Sequence, residues 1–349
     1  ERPTADWRYG PARRQGVIVR ASRPGVAENL DARDLVPPFT AGALRGGSHV
    51  HTFSGDGRLV SFTYEDAVLD AAAAVGRAER NLRGVGVSIC GRPVRVSQTH
   101  PRNHDGSAAT VLVTRLHDEP RPGSDEISRA VEEAWVGTAG YVRADGSRQR
   151  RAIAFQGHVV APDGAALVEA FIVDLPDEPA ALLEPGEGPL AGTPTTRPCP
   201  PRGVVQRRLT FTTDRRHPGL QGPRHWLRSS PDGGRIAFLM RDDAGVVQLF
   251  TVSPCGGPPT QVTGDPWDVA SSFTWSPDGG RIAYAADGSV MTVDLATGRS
   301  HRLTDRRADG TGPRPEAVVF APDGRWIAFM RRLPAAAPHN QVCVVDAEP

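Results

Sequence analysis

The sequence predicts an all-β protein assembled from repeated four-stranded antiparallel sheets, and three observations carry that prediction. The 349 residues include 38 glycines and 32 prolines, which follow no Gly-X-Y period and so mark many turns rather than a collagen-like rod. A turn of the form Ser/Ala-Pro-Asp-Gly recurs, placing Asp232, Asp278 and Asp323 46 and 45 residues apart. After each turn apolar residues alternate, as in Ile236, Phe238 and Met240, the period of a half-buried strand. A repeat of this length built from short strands is one blade of a β-propeller.

The copies at residues 228–257, 273–298 and 320–330, with a variant at 53–66 around Asp56, share one internal logic. An apolar strand ends, Pro-Asp-Gly turns the chain with glycine free to take a positive φ, and a second strand returns. In the copy after Asp232 a third strand follows at 246–252 and a short fourth at 260–263. A single sheet of this kind cannot bury both faces, so the blades must stack and share their cores. Residues 100–106 read as a degenerate turn around Asp105, with a strand at 109–116 after it. From Asp105 to Asp232 the spacing predicts one enlarged blade, with strands at 151–160, 166–175 and 206–211 and a Pro/Gly/Glu-rich loop at 177–202. Reading Asp163 as another inner turn would make it two. Residues 1–48, with a strand at 15–20, read as the outer strands of an incomplete blade. The expected division of this one propeller domain is therefore 49–98, 99–212, 222–264, 271–304 and 315–349, the last blade lacking its outer strand. With an N-terminal part outside this chain the count becomes seven blades, or eight if the excursion is itself a blade.

Charge and cysteine content narrow the function. The 41 basic residues, all arginine, against 40 acidic ones leave a net charge of +1, so no overall field favours nucleic acid or an anionic membrane. No apolar run reaches the roughly 18 residues of a membrane span. Cys90, Cys199, Cys255 and Cys343 form no C-x-x-C pair and read as buried or idle thiols. Without a G-x-S-x-G elbow, a P-loop or a G-x-G-x-x-G turn, serine hydrolase, NTPase and dinucleotide chemistry lack their usual carriers.

The repeat F-S-P-D-G-x-x-I-A-F resembles that of TolB/WD40-like propellers from about Ser48 to the end of the chain. Longer strings, LRGGSHVHTFSGDGRLVSFTYED at 44–66, HPRNHDGS at 100–107, RPGSDEISRAVEEAWVG at 121–137, GVVQRRLTFT at 203–212 and GPRHW at 222–226, are similar to a bacterial family of TolB-like propeller proteins of unknown function. Its members begin further upstream and lack an obvious export signal, which implies a truncated start and a cytoplasmic location, with the periplasm as the alternative. A more distant resemblance is to oligogalacturonate lyases, seven-bladed propellers that hold Mn²⁺ with histidines and abstract a sugar proton.

Aligning the blades on their turn aspartates puts His49, Gln98, His225, Ser271 and Glu316 at one position and His51 and His100 two residues later. These positions begin the innermost strand of each blade and are expected to meet at one mouth of a central channel. His49 and His51, at i and i+2, should point to the same side of one strand. Together with His225, Gln98 or Glu316 they make a candidate N/O site for Mn²⁺, Zn²⁺ or Fe²⁺, the alternative being hydrogen-bonded polar plugs of the channel. His100 and Arg102 offer a base beside a fixed cation, or simply a turn. Arg224, next to His225 and Trp226, offers a cation and an aromatic face for a sugar ring. Carboxylates at Asp125, Glu126, Glu132 and Glu133 could reach the mouth from a loop, while Arg148, Arg150 and Arg151 read as a solvated basic run. Two functions compete. One is a propeller that binds a small molecule, a carbohydrate or a protein through its histidines. The other is a metal-dependent lyase, in which the metal polarises a sugar-acid carboxylate and His100 removes the adjacent proton.

Overall fold

The computed structural model describes residues 4, 7–73, 76, 78–333 and 339–348. Among the described residues the fold is all-β apart from one short helix, Ala67–Ala72, and two 3₁₀ turns. Five antiparallel sheets follow one another along the chain, each a meander in which consecutive strands pair, which is the blade arrangement of a propeller. Sheet A contains Gly46–Phe53, Leu59–Asp66, Gly84–Val94 and Gly106–Leu112. Sheet B contains Arg129–Trp135, Ala152–Val160, Ala166–Asp174 and Val205–Arg208. Sheet C is Arg228–Ser229, Ile236–Arg241, Val247–Val252 and Thr260–Gln261, and sheet D is Thr274–Trp275, Arg281–Ala286, Ser289–Asp294 and Ser300–Arg302. Sheet E has three strands, Pro313–Phe320, Trp326–Leu333 and His339–Asp346. Five sheets of three or four strands thus form among the described residues, alongside three two-stranded ones; seven or eight blades was the expectation for a chain extended at its N-terminus. No helix among these residues is long and apolar enough to cross a membrane.

By its contacts the chain divides into two compact units, residues 1–135, 149–166 and 172–207 forming the first and 136–148, 167–171 and 208–349 the second. In the second unit the cores lie between sheets. Leu239, Val247 and Leu249 of sheet C pack with Trp275, Ile282, Tyr284 and Met291 of sheet D. On the other side of sheet D, Ala283, Ala285 and Val290 meet Val318, Ile327 and Phe329 of sheet E. Burying apolar side chains on both faces of the middle sheet is what ties the repeats into one body. Polar staples add direction: Trp275 Nε1 donates to the Arg228 carbonyl at 2.9 Å, and Thr274 Oγ1 donates to the Val318 carbonyl at 3.0 Å. The first unit repeats the device, with Trp135 Nε1 donating to the Thr52 carbonyl at 2.9 Å.

The repeated aspartate builds its turn locally. Asp232 Oδ1 accepts from Ser230 Oγ at 2.5 Å and from Gly234 N at 2.9 Å, and Asp278 Oδ1 does the same with Ser276 at 2.5 Å and Gly280 at 2.9 Å. Gly233 and Gly279 sit in the left-handed region, φ 78° and 74°, which side chains disfavour. Identical motifs do not have identical surroundings. A Cβ on Gly279 would meet only Pro231 Cδ, at 3.3 Å, whereas one on Gly233 would stand 2.1 Å from the Gly140 carbonyl oxygen. Gly279→Ala should cost about 1 kcal/mol and Gly233→Ala roughly twice that, measured as urea-unfolding free energies; equal losses would refute the packing difference.

Three expectations need correction. The strand after Asp105, Gly106–Leu112, is the outer strand of sheet A, paired with Gly84–Val94, so Asp105 opens no new blade. Its Oδ1 instead accepts from Val96 N at 2.9 Å across the connecting loop, and the inner strand of sheet B is Arg129–Trp135. Among the described residues before Gly46, no outer strands of another blade form. Val17–Val19 pairs only with Ala27–Asn29 among the described residues, and the following chain runs along the edge of sheet A, with bridges from Asp31 to Ala108 and Arg33 to His104. Covering that edge satisfies backbone groups that would otherwise be open to another strand. Finally, Arg151 is buried and pairs with Asp56 at 2.5 Å, and Glu132 and Glu133 lie on a strand rather than a loop, with Glu133 accepting from Thr63 Oγ1 at 2.8 Å.

Candidate functional site

In the first unit, His49 and His51 stand on Gly46–Phe53, but that strand is not regular. His49 pairs with Thr63 and Thr52 with Ser61, so one extra residue is inserted between them, and Val50 takes φ 60°. A β-branched residue there is strained. The bulge breaks the alternation on which the i, i+2 argument rested.

The two histidines line a cavity of about 480 Å³ together with Trp7, Arg8, Tyr9, Arg13, Arg14 and Ser48. The described residues that line it include no carboxylate. Arg13 is held by the Arg8 carbonyl at 3.1 Å and Arg14 Nε by the Tyr9 hydroxyl at 3.0 Å, so neither charge is neutralised by these contacts. Three guanidiniums, those of Arg13, Arg33 and Arg102, lie 5.2 to 5.6 Å from the Trp7 ring centre, the range of cation–π attraction.

Behind the cavity wall lies a polar chain. Asp31 is fully buried, and its Oδ1 accepts from Gly16 N at 3.1 Å and from Ser48 Oγ at 3.0 Å. Asp31 Oδ2 is buried without a hydrogen-bond partner. His51 Nε2 stands 3.2 Å from Ser48 Oγ. Gly16 is required at this junction, because its Cβ would stand 2.3 Å from Asp31 Oδ1 and 2.6 Å from His51 Nε2. Burial pushes the Asp31 carboxyl up to about 6, outweighing Ser48 and Arg33, which act to lower it. His51 is open to solvent along part of its surface, yet the packing of its ring end lowers its pKa.

The remaining predicted residues have other occupations. His100 Nδ1 accepts from Arg102 N at 3.1 Å, and the His100 carbonyl accepts from Asn103 N at 3.0 Å, so His100 builds a turn. That turn delivers Arg102 to Trp7, where Arg102 also donates to Thr4 Oγ1 at 2.8 Å. Gln98 is exposed and bonds the Val96 carbonyl.

In the second unit His225 is buried, its Nδ1 lies 2.9 Å from the Pro223 carbonyl and its Nε2 accepts from Leu239 N at 3.1 Å. Both nitrogens are committed, the ring is neutral, and burial lowers its pKa to about 4. Arg224 is exposed and stacks on Trp226 at 4.7 Å. Glu316 is exposed and forms a two-pronged pair with Arg314 at 2.5 and 3.0 Å, which lowers its pKa.

The expected metal set does not fit. His225 has no lone pair to offer, Glu316 is paired with arginine, and among the described residues no three of His, Cys, Asp and Glu gather as metal ligands. Sequence reasoning missed Trp7, Arg13, Arg14 and Asp31. The string WRYGPARR, dense in arginine and aromatics, was the available signal for the first three.

Fold and site together define a propeller-type β protein with a basic, histidine-lined cavity. The chain belongs to the family of the Escherichia coli (strain K12) protein described as "Uncharacterized protein YidR", to which it is 46% identical over 334 residues, covering 95% of this chain and 75% of that protein. The family described as "Protein of unknown function (DUF3748)" matches residues 1–104. Among solved structures the chain is similar to TolB from Acinetobacter baumannii, at 14% identity over 86% of this chain and a TM-score of 0.43. It is also similar to an oligogalacturonate lyase in complex with manganese, at 10% identity over 86% of this chain and a TM-score of 0.49. The chain spans 54% of that TolB and 65% of that lyase.

Proposed function

We propose that this is a binding protein of propeller type whose cavity beside His49 and His51 takes a small organic anion, such as a sugar acid or a sugar phosphate. The observation that carries this reading is the lining. Arg8, Arg13, Arg14 and two imidazoles face a space of about 480 Å³ with no carboxylate among its described residues, and convergent cations in a concave site favour an anion. Asp31 stands behind Gly16, outside the residues that line the cavity. Arg102, 5.5 Å from the Trp7 ring centre, adds a further cation beside the lining. The lyase reading is set aside because His225 and Glu316, two of the donors it needs beside His49 and His51, are committed elsewhere.

Isothermal titration calorimetry with galacturonate, glucose 6-phosphate, citrate and Mn²⁺ tests the proposal. At least one of the anions should bind, with affinity falling as salt rises. Replacing both Arg13 and Arg14 by alanine should weaken it about tenfold or more, and Mn²⁺ should not bind stoichiometrically. Anion binding unchanged in the double variant, or no binding by any of the three, would refute the site.

A further inference from the structure

The histidine cavity has an apolar side as well as a cationic one. Tyr9 and Val17 line it and are 76% and 53% exposed. Apolar surface left facing water is a cost that a ligand relieves by covering it. The arginines of the lining set the charge of what the cavity takes, and these two side chains bear on the body that carries the charge.

The two aromatic side chains of the lining differ in what they leave open. The Trp7 ring is engaged by the guanidiniums of Arg13, Arg33 and Arg102 at 5.2 to 5.6 Å. Tyr9 is gripped at its tip, where its hydroxyl accepts from Arg14 Nε at 3.0 Å, with Arg14 Cζ 5.5 Å from the ring centre. An aromatic side chain that is tethered at one end and still largely exposed has less freedom to lose on binding, and it offers a ready stacking platform. Arg14 itself lines the cavity, so a cation and the ring it holds stand side by side. One ligand meets both when its charged group is joined closely to a flat ring. A hydroxylated chain would pair with the arginines and leave Tyr9 and Val17 wet, and an uncharged arene would cover Tyr9 and leave the cations without a counter-charge.

We infer that the ligand is an aryl anion, a phosphate or carboxylate borne on a flat apolar ring that lies on Tyr9 and against Val17 while its charge meets Arg13 and Arg14. This rests on the anion reading above and narrows its ligand. Calorimetry on the full chain with phenyl phosphate, methyl phosphate and glucose 6-phosphate keeps the charged group constant and varies its body. Phenyl phosphate should bind about tenfold more tightly than the other two, the order of an aromatic contact added to apolar burial. Tyr9→Ala should remove that gain without weakening methyl phosphate, whereas Tyr9→Phe, which keeps the ring and drops the hydroxyl, should retain most of it. Equal affinities for the three, glucose 6-phosphate binding as tightly as phenyl phosphate, or a phenyl preference that survives Tyr9→Ala would overturn the inference and leave anion binding in place. No binding by any of the three would overturn the anion reading and this inference with it. Tyr9 lies outside the buried core, and the comparison of ligands on the parent chain decides without any variant.

Discussion

Arg45→Ala should destabilise the protein by about 3–5 kcal/mol, the usual loss when one partner of a buried ion pair is removed. Both side chains of the Arg45–Asp66 pair are only 2% exposed, and Arg45 Nε lies 2.7 Å from Asp66 Oδ2. The guanidinium also stacks on Phe39 at 5.0 Å and holds the carbonyls of Thr193 and Thr196. Truncation would strand a carboxylate and two carbonyls in the interior with no water to replace the donor. Asp66 has a second duty, because its Oδ1 accepts from Val68 N and Leu69 N, both at 2.9 Å, and caps the helix Ala67–Ala72. Urea denaturation monitored by circular dichroism measures the loss. A change below about 1 kcal/mol, the worth of an exposed pair, would show that this pair is not buried as described.

Asp31→Asn should change the pH dependence of stability by about 3 kcal/mol. An unfolded aspartate titrates near 4, whereas folded Asp31 holds its proton to about 6. Below about pH 4 both states are protonated and the group makes no difference. As pH rises towards 6 the unfolded chain releases its proton while the folded state resists, so the parent protein loses stability that it does not recover above pH 6. Asparagine cannot titrate and leaves the same unpartnered position beyond Oδ1, a cost independent of pH. The stability of the variant relative to the parent should therefore climb between pH 4 and pH 8. A difference that stays flat would mean that Asp31 is solvated or otherwise compensated.

The fold was legible wherever a turn is closed by its own residues. Asp232 and Asp278 bond the serine two before and the glycine two after them, so the motif and the structure it makes occupy the same few positions. The strands Ala152–Val160 and Ala166–Asp174 were likewise visible as apolar runs on either side of a Pro-Asp-Gly turn, whereas the outer strand expected at 206–211 lies at Val205–Arg208. Asp105 misled because Asp-Gly alone states that the chain turns and not which strand it joins. In place of the usual proline stands His104, which trades backbone bonds with Arg33, 71 positions earlier in the chain.

The site was less legible for a related reason. His-Val-His has the spacing of a regular strand, and a one-residue bulge leaves no mark in a sequence; the register shift between His49 and Thr52 and φ 60° at Val50 reveal it. His225 aligned with His49 by position in the repeat, yet its ring serves the Pro223 carbonyl and the Leu239 amide. Equivalent places in a repeat share a backbone, not a duty. The arginines around Trp7 come from residues 13, 33 and 102, and no short pattern joins them.

The reach of the Arg45 latch bears on the order in which the chain assembles. Its contacts with Thr193 and Thr196 span 148 and 151 residues, whereas the serine and glycine bonds of the aspartate turns span two. Closing a long loop costs chain entropy before any contact rewards it, and closing a short one costs little. The hairpins of sheets C and D therefore form early and the latch late. Until it closes, the apolar side chains of Leu82, Leu112 and Leu116 beneath residues 193–200 stay wet, which makes the nascent first unit the stage of folding most exposed to misassociation.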